Sequence, residues 1–266
     1  MSGEAKTISA RTARRLADDI RDIMQNPLHF DGIYYEHDPE HMLKGYAMII
    51  GPKDTVYEGG YYLFSLDFPP TYPEMPPKAT YWTNDGITRF NPNLYKNGKV
   101  CISLLNTWKG EQWTSCQTLR SVLLNLCMLL VDNPLLNEPG VSQSHPDVSA
   151  YREIIRYRNI DWAILKQVHS LIGDGGSPVF SKELEEHFGL VIRQLFVSSY
   201  DSIRTMIEKC VEEYNDNDGK ECIPFYKVRA YNGMNVHADY RLLLNRVDEL
   251  YKLCIAEQTI LSVVNN

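Results

Sequence analysis

Arg89-Phe90-Asn91-Pro92-Asn93-Leu94-Tyr95-Lys96-Asn97-Gly98-Lys99-Val100-Cys101 is the stretch that decides how this chain reads. It puts a thiol at the end of a loop, downstream of an amide side chain in an Asn91-Pro92-Asn93 turn. Asn97-Gly98 is a tight-turn dipeptide, so Asn93 and Cys101 are expected to fold back towards each other. Residues 83–116 as a whole show neither helical nor strand periodicity. Long irregular segments in compact domains are functional or disordered, and Phe90, Leu94, Leu104, Trp108 and Trp113 make this one too apolar for disorder. The expectation is an ordered active-site segment.

A cysteine protease would need a histidine base close to the thiol. The histidines, at 29, 37, 41, 145, 169, 187 and 237, all lie away from it in sequence. An unassisted thiol is roughly a few per cent thiolate at neutral pH. That is too weak to attack an amide, but it suffices for exchange with an incoming thioester, which is already activated. An asparagine amide suits the oxyanion formed when an amine then attacks, and such a donor contributes on the order of 3 kcal/mol.

The surrounding composition is ordinary for a soluble globular protein. The chain has 266 residues, 44% apolar and 23% charged, enough for a sizeable core without metals or disulfides. The net charge of -7 argues against nucleic acid as a partner, since phosphate binding needs clustered Lys and Arg. Arg11, Arg14, Arg15 and Arg21 alternate with Asp18, Asp19 and Asp22, so that patch is mixed. None of the cysteines forms a CxxC pair, and Pro39 breaks any helical pairing of His37 with His41, so neither a metal nor another cofactor is expected. No apolar signal core and no run of 18 apolar residues occurs. The expectation is no membrane association and a reducing cytoplasmic or nuclear location, with free thiols.

Outward from the motif, Ile8, Ala13, Leu16, Ile20, Ile23 and Met24 predict a helix over 8–25, closed by Pro27. Ile33–Glu36, Gly45–Ile50, Tyr61–Phe68 and Ala79–Trp82 predict a strand meander punctuated by Gly51-Pro52 and Gly59-Gly60. Phe68 to Pro77 holds five prolines and must be a rigid, extended connection. Helices are expected over 117–131 (the apolar run Leu119 to Val131) and 148–172, with a linker at Gly173–Ser177. Two more follow over 181–213 and 238–262. Their stripes are Phe188, Val191, Leu195, Ile203, Ile207 and Cys210 on one, and Leu243, Val247, Leu250 and Cys254 on the other. Stripes this regular should bury against each other or against the 148–172 helix, making an ordered appendage.

The order of these elements with Tyr57-Glu58-Gly59-Gly60, the proline-rich connection, Asn-Pro-Asn, Cys101 and Trp113 resembles the ubiquitin-conjugating enzyme family over about residues 8–172. The resemblance implies an α+β fold: an N-terminal helix, a four-stranded antiparallel meander and C-terminal helices. Residues 1–172 would be the conjugating core and 177–266 an α-helical C-terminal extension. Asn91 stands where the family carries a mainly structural His, and Ser103 where many members carry Asp. The long Z-type branch is more similar still. It shares the Asn-Pro-Asn, the Thr107-Trp108-Lys109-Gly110 insertion, Asn133-Pro134 before Asn137-Glu138-Pro139-Gly140, and a helical extension.

The resemblance implies a transferase. Cys101 would carry ubiquitin or a ubiquitin-like modifier as a thioester, received from an activating enzyme that is non-standard in the Z-type branch. It would pass it to the lysine of a protein substrate, with or without a ligase. Asn93 would stabilise the oxyanion or order the loop. An acidic residue helping the acceptor amine falls to Glu138, with Asn137 the alternative in alignment. Partner contacts fall to Arg14 and Arg15 on the first helix, and to Met75, Trp113 and Cys116 near the loop where Glu74 replaces the family's apolar ligase-docking residue. Cys127, Cys210 and Cys254 read as packing. The runner-up is a non-catalytic scaffold of the same fold, but silent variants lack the cysteine that Cys101 supplies here.

Overall fold

Ser9 starts the first helix, α1 (Ala10–Gln25), by accepting a hydrogen bond from the Thr12 amide at 3.0 Å, which satisfies one of the orphan donors of the first turn. The computed structural model describes residues 8–172, 182–214 and 223–264. The expected Gly173–Ser177 linker lies outside the described residues. Thr12, Leu16, Asp19 and Ile23 form the buried stripe of α1, a spacing that keeps one face of a helix on the core.

Four strands follow: β1 (Ile33–His37), β2 (Lys44–Ile50), β3 (Tyr61–Asp67) and β4 (Lys78–Tyr81). They form an antiparallel sheet in sequence order. In the β2–β3 connection Gly59 adopts φ 73° and Gly60 lies where a Cβ would come within 2.0 Å of Asn159 Oδ1. Only glycine tolerates both demands. The two central strands lack the polar-out alternation of a sheet with one wet face: the five inner residues of β2 are buried, as is every residue of β3 except Asp67.

The second layer explains this. On one face Tyr62 donates to Asn159 Oδ1 at 2.6 Å. On the other, Tyr46 meets the His187 ring at a centroid distance of 4.4 Å, and His187 Nδ1 lies 2.9 Å from Glu36 Oε2. By register Met48 and Leu63 belong to the same outer face as Tyr46, and both are fully buried. The C-terminal extension therefore covers the outer face of the sheet.

α2 (Leu119–Cys127) opens with a capping box between Thr118 and Ser121. It is shorter than the expected helix to Val131. The Leu129 carbonyl is held by the side-chain amides of Asn91 and Asn137, at 2.8 and 3.1 Å, so the chain turns off there to close the active-site loop. α3 (Val148–Arg158) runs through a π-helical stretch, Asn159–Lys166, into α4 (Gln167–Ser170). That irregularity begins at Asn159, whose Nδ2 donates to the Glu58 carbonyl at 2.9 Å, and side-chain insertions of this kind commonly accompany π-turns.

The expected C-terminal helices are present as α5 (Lys182–Glu213) and α7 (Tyr240–Val264), and they pack on one another. Phe188, Ile203, Ile207, Cys210, Leu243, Val247, Leu250 and Cys254 are buried as the stripes predict; Val191 and Leu195 are only partly so. Absent from the sequence reading are the hairpin of β5 (Phe225–Lys227) and β6 (Asn235–His237) and the short turn α6 (Ala230–Gly233) between them. Three-residue strands are too short to show a period. One hydrophobic cluster includes Leu16 and Phe64 together with Phe188, Phe196 and Leu250.

Candidate active site

The segment before the thiol has only isolated bridges and turn bonds, so side chains satisfy the rest of its backbone. Asn91 is fully buried. Its Oδ1 accepts from the Asn93 amide at 2.9 Å, and its Nδ2 donates to Tyr57 Oη at 3.1 Å and to the Leu129 carbonyl. Tyr57 in turn donates to the Phe90 carbonyl at 2.6 Å. Complete burial holds the Tyr57 phenol well above its ordinary pKa, so it remains a donor. Arg89 ties the turn from outside, donating to the carbonyls of Asn91 and Pro92 at 3.1 and 2.6 Å. Its guanidinium sits 3.3 Å from the Tyr95 ring centroid.

This scaffold brings Asn93 and Cys101 together. Asn93 Nδ2 donates to the Cys101 carbonyl at 2.7 Å and the Cys101 amide donates to the Asn93 carbonyl at 2.9 Å. The Asn93 side chain is thus part of the loop's own bonding, with one N–H left for another acceptor. Its Oδ1 is buried and finds no donor among the described residues. Cys101 is 3% exposed, and its Sγ donates to the Thr107 carbonyl at 3.0 Å. The Thr107 hydroxyl accepts from the Ile102 amide at 2.9 Å, which pins the start of the insertion over the thiol. No imidazole is bonded to Sγ among the described residues, so the thiol is not a Cys–His pair.

Cys101 opens on a narrow cleft lined by Asn93, Tyr95, Trp108, Asn137, Glu138 and Pro139. Both alignment candidates therefore reach it, with different duties. Asn137 donates to Leu129 O and supports the loop, whereas Glu138 Oε2 accepts from the phenol of Tyr231 at 2.6 Å.

The partner candidates separate as well. Arg14 is exposed. Arg15 is not free in this way: it donates to Asp19 at 3.2 Å and to the carbonyls of Ser115 and Gln117, clamping α1 to the loop before α2. Trp113 is a buried residue, 7% exposed, with Nε1 donating to the Pro73 carbonyl at 2.7 Å; it holds the proline-rich connection and offers no surface to a partner. Met75 is 52% exposed and Cys116 is exposed. Cys127 is only half-buried, less than a packing residue would be. Met75, Pro76 and Pro77 line an open groove with Lys99, Val100 and Leu105.

Sequence reasoning missed Arg89, Tyr57, Thr107 and Tyr231. Tyr57 stands in a motif already singled out, so its signal was there. Tyr231 carried none, because its partner lies across the fold. Among the described residues no cluster of His, Cys, Asp and Glu could hold a metal, and no helix is long and apolar enough to cross a membrane.

Residues 15–157 match the family model described as "Ubiquitin-conjugating enzyme". The "Ubiquitin-conjugating enzyme E2 Z" of Xenopus tropicalis is 34% identical over 90% of this chain and 70% of the relative. The human protein of the same name is 44% identical over 56% of this chain and 43% of its own length. Human "Dual E2 ubiquitin-conjugating enzyme/E3 ubiquitin-protein ligase BIRC6" is 36% identical over 68% of this chain and 4% of its own length. The similarity to the frog relative covers the extension as well as the core.

Proposed function

The chain belongs to the ubiquitin-conjugating enzyme family, and on that premise we propose that it accepts ubiquitin or a ubiquitin-like modifier from an activating enzyme as a thioester on Cys101 and transfers it to a substrate lysine. The observation that carries this reading is the pairing of Asn93 with Cys101 at the floor of a cleft that Glu138 also lines. In the first step the Cys101 thiolate attacks the carbonyl of the incoming thioester and displaces the activating enzyme's thiolate. Sγ must release its bond to the Thr107 carbonyl to do this, because a thiolate has no proton to donate. In the second step the amine attacks the Cys101 thioester and the oxyanion forms. Asn93 Nδ2, bonded to the Cys101 carbonyl, has one N–H left to offer the oxyanion, a contribution on the order of 3 kcal/mol.

The partners in this reading are the modifier, an activating enzyme that is non-standard in the Z-type branch, a ligase and protein substrates. Its setting is the reducing cytoplasm or nucleus, supported by the free thiols of Cys101, Cys116, Cys127, Cys210 and Cys254. The exposed Arg14 supports a docking role for the outer face of α1, since rim charges steer association.

A charging assay tests the reading, with ubiquitin and several ubiquitin-like modifiers against several activating enzymes. Wild-type protein should give a band lost on thiol reduction, Cys101→Ser a band that survives reduction, and Cys101→Ala none. Charging of Cys101→Ala would remove the assignment, and a scaffold of the same fold would give no Cys101-dependent band with any combination.

A further inference from the structure

Tyr231 belongs to the C-terminal extension, yet its phenol reaches a residue that lines the Cys101 cleft, donating to Glu138 Oε2 at 2.6 Å. The contact is built from several sides. Asp147 Oδ2 accepts from the amides of Arg229 and Ala230, at 2.9 and 3.0 Å, which fixes the backbone leading into Tyr231. The ring packs 5.8 Å from Tyr151 and under the Arg89 guanidinium at 5.3 Å, the same Arg89 that holds the Asn91-Pro92 carbonyls. The Arg89 amide donates to the Met234 sulfur at 3.3 Å. Tyr231 adopts φ 52°, a left-handed conformation that is strained for a bulky residue and persists only where its surroundings over-determine it.

Burial, and then the Glu138 carboxylate, raise the Tyr231 pKa above its ordinary value, so the phenol is a donor at neutral pH. Oε2 of Glu138 accepts this bond, and Oε1 takes none from the described residues. The carboxylate is thereby held in one orientation beside the cleft that contains Sγ.

We propose that Tyr231 is a positioning residue for the transfer step, holding the Glu138 carboxylate so that it takes the proton of the acceptor lysine. The inference rests on the thioester reading of Cys101. The amine nitrogen forms a C–N bond with the thioester carbonyl and the C–Sγ bond breaks, its electron pair leaving on Cys101 Sγ. The lysine arrives as an ammonium ion: its first proton passes to Glu138 and from there to solvent, which frees the amine to attack, and its second, lost as the amide forms, leaves to the Cys101 thiolate or solvent. The extension then acts on catalysis through one hydroxyl, besides covering the sheet.

The test starts from full-length protein charged beforehand, so that differences in loading do not enter. Single-turnover discharge is followed with lysine, which must shed an ammonium proton before it attacks, and with hydroxylamine, whose nitrogen is already free to attack at neutral pH. Tyr231→Phe should lower the ratio of lysine to hydroxylamine discharge roughly tenfold, the equivalent of one charge-assisted hydrogen bond. Glu138→Gln should lower it at least as much, and the double variant no further than Glu138→Gln alone. Val236→Ala, which loosens the β5–β6 hairpin without touching the hydroxyl, should leave the ratio above that of Tyr231→Phe. A wild-type ratio in Tyr231→Phe overturns the proposal, as does a double variant whose losses multiply, or an equal loss in Val236→Ala. If Glu138→Gln keeps the wild-type ratio on a Cys101 thioester, this inference fails while the thioester reading stands. If no Cys101 thioester forms with any modifier, both fall.

Discussion

The active-site segment and the C-terminal helix pair are ordered by opposite means. From Arg89 to Thr107 the backbone is irregular, and scattered turn bonds leave part of it to the side chains of Asn91, Asn93, Arg89, Tyr57 and Thr107. In α5 and α7 the backbone satisfies itself, and order comes from burying Phe188, Ile207, Leu243 and Val247. The first region should fail through lost hydrogen bonds at single residues, the second through lost apolar contact. A functional loop can be rigid without regular structure when buried amides substitute for a ladder.

The largest effect is expected in the apolar region. Phe188→Ala should destabilise by about 3–5 kcal/mol through transfer and cavity terms. Because α5 shares one cluster with the sheet, calorimetry should show one lowered transition for the whole chain. A separate low-temperature transition, with the main one unmoved, would break the comparison by making the extension an independent unit. Asn91→Ala is the corresponding test of the loop. It strands the buried Asn93 amide, removes the donor to Tyr57 Oη and leaves the Leu129 carbonyl to Asn137 alone, and should cost about 3 kcal/mol, lowering Tm by roughly 6–12 °C. A shift under a degree or so would mean that the amide network is ornamental.

Asn93→Ala sharpens the contrast. The bond to the Cys101 carbonyl predicts some loss of loop order, and the remaining N–H predicts discharge to free lysine slowed about 100-fold. A large Tm drop with discharge near the wild-type rate would assign Asn93 to loop order alone. On α1, Arg15→Ala should cost roughly 1–2 kcal/mol because it leaves the Ser115 and Gln117 carbonyls without their donor. Arg14→Ala should cost under about 0.5 kcal/mol. Equal costs in thermal unfolding would contradict the clamp.

A small, pH-dependent effect is expected at the junction. Arg156 donates to Glu213 at 2.7 Å, linking α3 to α5, and this bond holds the Glu213 carboxyl below its ordinary value. A carboxyl depressed on folding adds stability above its unfolded pKa and loses it as the pH falls through the folded one. The junction should therefore weaken below about pH 4.5, by less than about 1 kcal/mol because Glu213 is half exposed. Glu213→Gln should flatten that acid dependence; an unchanged acid slope would place its origin elsewhere.

Much of this was written locally. Ser9, Thr118 and Pro27 bound their helices, Asn97-Gly98 turned the loop, and the four strands fell within a residue or two of expectation. Cys101 and Asn93 met because a short turned loop leaves them little choice. The helix after Thr118 stopped early because Asn91 and Asn137 take its Leu129 carbonyl, a bond that no period in the sequence reports.

Periodicity tells which side of an element must be buried, because the side-chain repeat is local; it does not say what does the burying. The sequence by itself determined the meander, the thiol loop and the apolar faces of α5 and α7, but of the expected α1 stripe only Leu16 and Ile23 are buried, with Thr12 and Asp19 in place of the exposed Met24. Only the tertiary structure decided that those helices cover the outer face of the sheet, that Arg15 and Trp113 hold the core together, and that Tyr231 reaches Glu138. Each of these depends on a polar or aromatic group finding its partner far along the chain. Such a pairing is set by how the packed elements converge, and leaves no pattern near either residue.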